Sequence, residues 1–107
     1  KNLCIDNEQI SQLITNKTKM ILPVHFGGMP CNLSEIKKIC HDYDLISIED
    51  AAHAAGSTYK NQKIGKHSTA VCFSFHPVKN LAMLTGGLIS VNGKSSKKFK
   101  KILNSRR

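Results

Sequence analysis

Three apolar runs of this 107-residue chain end in side chains able to do chemistry. Asp50 follows the run at 45–48 by one acid, Glu49. Ser74 lies near the end of the run at 70–75, and Lys79 follows within His76-Pro77-Val78-Lys79. His25 lies near the end of a third run, at 20–26, and with less force joins them. In an open α/β sheet, ligands bind beyond the carboxyl ends of the parallel strands. An acid, a hydroxyl and a lysine dispersed in sequence would then converge in space. A lysine can form a Schiff base. An aspartate can pair with a pyridinium nitrogen and keep it protonated, which makes the ring an electron sink. A serine hydroxyl can donate to a phosphate. Each residue also has a plainer reading. Asp50 could cap a helix, Ser74 could be an ordinary strand residue, and Lys79 could be one surface cation among sixteen lysines and arginines. His53 and His76 could be buried, hydrogen-bonded histidines. Taken alone, the residues give an α/β domain with a strand-end site and do not name a cofactor.

The elements that would position this site alternate between helix and strand. Residues 8–14 form a short helix with Ile10, Leu13 and Ile14 on one face and Asp6 or Asn7 as the cap. Residues 20–26 form a buried strand, although Pro23 inside it removes a ladder donor. Gly27-Gly28 ends it. Asn32 and Glu35 have capping-box spacing. Leu33, Ile36, Ile39, Cys40 and Tyr43 then repeat at helical spacing, which predicts a helix over 33–43. With the run at 45–48 this makes a βαβ unit, so the two strands are predicted parallel, joined by a right-handed crossover. The apolar runs alternate little, which predicts burial on both faces of the sheet. Residues 59–64 read as a hairpin around a polar turn, residues 70–75 and 88–91 as strands, and residues 95–103 as a basic amphipathic helix.

Composition narrows the classes. The length allows one domain. No apolar run approaches the roughly 20 residues needed to cross a bilayer, and the first ten residues have no signal-peptide core. The formal charge is +9, but residues 94–107 hold seven basic residues and no acid, so the first 93 residues carry only +2. The high pI reports a basic tail. With Phe99 as its one aromatic, that tail reads as a solvated helix face before it reads as a nucleic-acid contact. The four cysteines form no CxxC pair. Cys40-His41 is at most half a zinc site, and Cys72 reads as a small buried hydrophobe. Thiols in this pattern suit a reducing cytoplasm better than a disulfide-stapled fold. The chain begins at Lys1 without a methionine, which predicts a piece of a longer protein.

Three stretches carry a resemblance. Thr18-Lys19-Met20-Ile21-Leu22-Pro23-Val24-His25-Phe26-Gly27-Gly28, Ile48-Glu49-Asp50-Ala51-Ala52-His53-Ala54 and Phe73-Ser74-Phe75-His76-Pro77-Val78-Lys79-Asn80 resemble motifs of the DegT/DnrJ/EryC1/StrS sugar aminotransferases. They occur in the family's order and spacing, and the resemblance covers about residues 3–92. It implies part of the large domain of a fold-type-I aminotransferase, a mostly parallel sheet with flanking helices. Residues 1–107 would be the central segment of that domain, without the upstream phosphate-binding turn or the C-terminal small domain. It implies pyridoxal 5'-phosphate as cofactor, with Lys79 as its covalent attachment point and later the proton shuttle. Asp50 would pair with the ring nitrogen, His53 would sit near the phenolic oxygen, and Ser74 would contact the phosphate. The implied reaction moves an amino group, usually from glutamate, to a keto sugar on a nucleotide, as in polysaccharide biosynthesis. The histidine forms of the motifs resemble most the enzymes acting on 4-keto sugars of UDP. A cytoplasmic homodimer is expected, with no membrane or nucleic-acid partner. The sequence departs from the family at Thr85, where Glu or Asp usually precedes Gly-Gly, and at Ala82-Met83-Leu84. That departure motivates an alternative, a member that has lost catalysis and acts as a binding or scaffold protein.

Overall fold

The computed structural model describes residues 3–93 together with 96, 97 and 101. The basic helix expected at 95–103, and with it the basic tail, lies almost wholly outside the described residues.

Helix α1 (Asn7–Leu13) starts where Asp6 accepts from the Glu8 amide at 3.1 Å, and it buries Ile10. Helix α2 (Leu33–Asp42) starts with the expected cap: the Asn32 side chain accepts from Glu35 N and its amide donates to Glu35 Oε2 at 3.0 Å. The first bond satisfies one orphan amide of the first turn, while the second joins two side chains in place of the carboxylate-to-backbone bond of a capping box. Leu33, Ile36, Ile39 and Cys40 point inward, as the 3.6-residue period predicts, but Tyr43 follows the helix as its C-cap and is exposed.

Strands β1 (Met20–Ile21) and β2 (Ile46–Asp50) pair in parallel across α2, with Met20 opposite Ile46 and Ile21 opposite Ser47. The strand expected over 20–26 is shorter as a ladder, and Pro23 is the reason: it has no amide hydrogen to give. The chain stays extended and keeps its register, because Val24 bridges to Asp50 at the same offset. The Pro23 carbonyl accepts from Asp50 N at 2.9 Å, and His25 N donates to the Asp50 carbonyl at 3.0 Å.

After β2 the chain makes a turn and a small hairpin, β3 (Thr58–Tyr59) and β4 (Gln62–Lys63). Lys60 and Asn61 both take positive φ, 47° and 62°, the conformation of a two-residue hairpin turn. Strand β5 (Ala70–Ser74) then lies parallel beside β2, and β6 (Gly87–Val91) returns antiparallel along all five of its residues. The sheet order is β1-β2-β5-β6.

The core lies on one side of this sheet, where Ile36 and Leu33 of α2 meet Ile21 and Val71. Burial on both faces, as the apolar runs predict, is not what the strands show. From Met20 to His25 exposed and buried residues alternate strictly. In β2 the polar Ser47 and Glu49 face the covered side, while Ile46 and Ile48 face the open one. In β6 the neighbours Leu88 and Ile89, which point to opposite faces, are 51% and 65% exposed. Helices cover one layer only, and the second apolar face stays open. Cys72 is partly open for the same reason, and Val71 takes the buried position.

Candidate active site

Asp50 is the last residue of β2 and Ser74 the last of β5, two adjacent parallel strands. Both therefore stand at the carboxyl end of the sheet. Asp50 is tied on either side: its backbone bonds with Pro23 and His25, while the next amide, Ala51 N, donates to the Cys72 carbonyl at 2.8 Å. Its carboxylate Oδ1 accepts from Ala52 N at 3.0 Å, which turns the chain sharply out of the strand. Ser74 pairs with Gly87, and its Oγ accepts from His76 N at 3.4 Å.

Lys79 sits in the loop after β5. Its own amide closes a turn onto the His76 carbonyl at 2.8 Å, and Asn80 Nδ2 donates to the Ala55 carbonyl at 2.6 Å. These bonds hold the loop after β5 against the loop after β2. Lys79 Nζ lies 2.9 Å from His53 Nε2. The far side of that ring, Nδ1, accepts from Gly27 N at 3.3 Å. Phe26 packs edge-on against it, with centroids 5.8 Å apart. Segments following β1, β2 and β5 thus meet around one histidine. Neither His53 nor His76 is buried, contrary to one sequence reading of them.

The buried histidine is His25. Its Nε2 is 2.9 Å from Glu49 Oε2, both side chains are fully buried, and its Nδ1 accepts from Cys31 N at 3.1 Å. Burial alone would push the Glu49 carboxyl up. The hydrogen bond from His25, with help from the Ser68 hydroxyl and the Gly65 amide, outweighs it and holds the carboxyl below the usual range. Glu49 Oε1 nonetheless has no partner of good geometry among the described residues. Sequence reasoning gave His25 little weight and passed over Glu49. The available signal was strand alternation, which turns Glu49 inward when Asp50 turns outward.

Elsewhere the sequence candidates separate. Cys40 is buried with its thiol pushed up by desolvation, His41 is exposed, and no metal-binding cluster exists among the described residues. A cavity of about 520 Å³ is lined by Cys4, Asn7, Asn32 and Glu35 and by none of Asp50, His53, Ser74 and Lys79.

The donor set suits a phosphorylated pyridine aldehyde. An amine able to condense with a carbonyl, a carboxylate fixed by backbone on both sides and a hydroxyl all stand at one sheet end. The sequence profile of the DegT/DnrJ/EryC1/StrS aminotransferase family matches residues 1–106. The chain belongs to that family. A DegT-family assignment also accounts for the shapes that the chain resembles. It is 46% identical over 99 residues to the uncharacterised Methanocaldococcus jannaschii protein MJ1066, covering 92% of this chain and 26% of that one. Helicobacter pylori PseC, an aminotransferase involved in the biosynthesis of pseudoaminic acid, superposes with a TM-score of 0.86 at 31% identity, over 92% of this chain and 27% of PseC. Bacillus subtilis NtdA, seen with its cofactor PMP, superposes with a TM-score of 0.80 at 35% identity, over 87% of this chain and 21% of NtdA. The fold is thus part of a fold-type-I aminotransferase, in a family that depends on pyridoxal 5'-phosphate. The chain spans about a quarter of the length of these relatives.

Proposed function

We propose that this chain is the central segment of the large domain of a longer enzyme. That enzyme moves an amino group, from glutamate, to a keto sugar attached to a nucleotide. The observation that carries the reading is the meeting of Lys79 and His53 at 2.9 Å beyond the strand end occupied by Asp50. The open apolar face of Ile46 and Ile48 supports the segment reading, since further chain would cover it.

Lys79 is the residue that would hold the cofactor covalently and afterwards carry a proton at Nζ. Asp50 would pair with the pyridine nitrogen and keep its proton in place. His53 would stand by the phenolic oxygen and Ser74 by the phosphate. When bound, pyridoxal phosphate supplies an electron sink for the carbon next to the amino nitrogen. The protein's part is orientation, and Asp50, held by two strands, loses little freedom in providing it. The working protein is proposed as a cytoplasmic homodimer, with neither membrane nor nucleic acid as partner. No helix among the described residues is long and apolar enough to cross a membrane.

The test is Lys79→Ala in the full-length protein. Wild type incubated with pyridoxal phosphate gains absorbance near the visible edge and, after borohydride reduction, a mass increment on Lys79. The variant gains neither and transfers no amino group. Wild-type protein that attaches the cofactor but transfers nothing to any nucleotide-linked keto sugar would favour the binding-protein alternative suggested by Thr85.

A further inference from the structure

The loop between β5 and β6, residues 75–86, carries Lys79 and meets the turn at 50–57, which carries Asp50 and His53. That turn is held from within and from outside. Ala52 N donates to Asp50 Oδ1 at 3.0 Å, Ala54 N to the Ala51 carbonyl at 2.9 Å, and Ser57 Oγ to the Gly28 carbonyl at 3.1 Å. Ala51 and Ala54 are fully buried. The lysine loop has fewer outside supports. Its backbone bonds close on the loop itself: Lys79 N on the His76 carbonyl, Met83 N on the Phe75 carbonyl and Phe75 N on the Gly86 carbonyl. Val78, Met83 and Leu84 are exposed. A cavity of about 190 Å³, whose lining includes Ala55 and Gly56 of the turn and Phe75 and Leu81 of the loop, leaves the packing between the two incomplete.

Among the described residues, two polar contacts join this loop to the turn. One is Lys79 Nζ, 2.9 Å from His53 Nε2. The other is Asn80, whose Nδ2 donates to the Ala55 carbonyl at 2.6 Å. Nζ is the atom that reacts, so its contact cannot also be the fixed tie. Asn80 remains. It follows Lys79 directly, and consecutive Cα atoms are about 3.8 Å apart, so an anchor on Asn80 limits where the backbone of the lysine can stand. We propose that Asn80 is a positioning residue for Lys79: its bond to the Ala55 carbonyl ties the loop that carries the lysine to the turn that carries Asp50 and His53. This role rests on reading Lys79 as the residue that takes the cofactor. In that step the C=N bond that forms replaces the C=O bond of the cofactor's aldehyde, and the oxygen leaves as water with two hydrogens from the amine. No oxidant or reductant enters. Asn80 acts through Lys79 and needs no contact with the cofactor. What it supplies is register, and a misplacement of about 1 Å can cost about 100-fold in such a step. The side-chain amide suits the task because a carbonyl only accepts and the amide has N–H groups to give.

The experiment uses the full-length protein and two variants. Asn80→Leu keeps the volume of the side chain and removes the donor. Asn80→Gln keeps the donor on a longer, looser arm, and the exposed site has room for it. At saturating pyridoxal phosphate, the rate constant for attachment to Lys79 is followed by absorbance near the visible edge. It should fall in the Leu variant by about tenfold, the factor that one net hydrogen bond represents, or by up to about 100-fold. The Gln variant should recover part of the loss. The cofactor concentration giving half the maximal rate should change little, since Asp50 and Ser74 are untouched. The urea midpoint should also change little, as for other surface substitutions. Before any cofactor is added, amide exchange in the peptide 75–84 should quicken in the Leu variant, while the hairpin at 58–63 stays as it was. Attachment at the wild-type rate in Asn80→Leu, equal losses in the two variants, or unchanged exchange at 75–84 overturns the proposal. So does a general loosening, with a lowered urea midpoint and faster exchange in both peptides. Should Lys79→Ala attach the cofactor as wild type does, the reading of Lys79 fails and this role fails with it. Loss of attachment in Lys79→Ala beside an unaffected Asn80→Leu overturns the role of Asn80 alone.

Discussion

Asp50 and Glu49 are neighbours in sequence and opposites in environment. Asp50 turns to the open strand end, Glu49 into the sheet's covered face against His25. Asp50→Asn in the full-length protein keeps the backbone bonds and the Ala52 contact, so the cofactor should still bind. A neutral amide cannot hold a proton on the ring nitrogen, and turnover should fall by about 100-fold or more, the usual cost of a lost electrostatic contact in a site. A matching spectrum with low turnover is the result to look for. Glu49 makes a different prediction. Its carboxyl is held low in the fold, so the stability it lends is complete above its unfolded value of about 4.3 and drains away as pH falls through the lower folded value. Urea midpoints measured from pH 6 down to 3 should drop in wild type, and Glu49→Gln should flatten part of that slope.

Helix α2 was legible up to its last turn, since its cap, its apolar stripe and its crossover position each have a local signal, but Tyr43, expected on the stripe, is the exposed C-cap. The strands were legible as elements and misjudged in their bounds and faces. Pro23 shortens the first ladder, an effect visible in sequence only as a warning. The return of β6 against β5 depends on a close approach that no local pattern announces. A Cβ placed on Gly87 would lie 2.8 Å from the Phe73 carbonyl oxygen, inside van der Waals contact. Gly87→Ala must therefore push β6 away from β5, at a cost of about 1–3 kcal/mol as for other overpacked sites. A lowered urea midpoint with unchanged slope would bear this out, and an unchanged midpoint would show that β6 is free to shift. Gly86, by contrast, has open space and a φ of 133°, so its glycine answers to backbone conformation.

At the scale of the molecule, one layer of helices covers a sheet whose other face carries isoleucine and leucine. Val78 is 79% exposed and Leu84 97%, and β6 lies at the edge of the sheet. Open apolar faces and unpaired edges favour association. The isolated 107-residue chain should sediment as oligomers or aggregates and show no transfer of an amino group, because stacking, the main phosphate turn and the sugar pocket are proposed to lie outside it. Turnover of a nucleotide-linked keto sugar by the monomeric chain would overturn both the segment reading and the residue roles.

The sequence by itself determined what is local or repeated. Cap spacing defined α2, a polar turn defined the hairpin, and three motifs in order defined the family and pointed to Lys79 and Asp50. Those signals survive without tertiary contacts because they arise from the backbone periods and from residue chemistry. Only the tertiary structure decided which side chains meet. Gly27, His53 and Lys79 are 26 residues apart at each step, and no pattern within a window relates them. The buried His25–Glu49 pair, likewise, exists because parallel register stacks 23–25 beside 49–50 on one covered face. Register is a property of paired strands, so no single strand could report it.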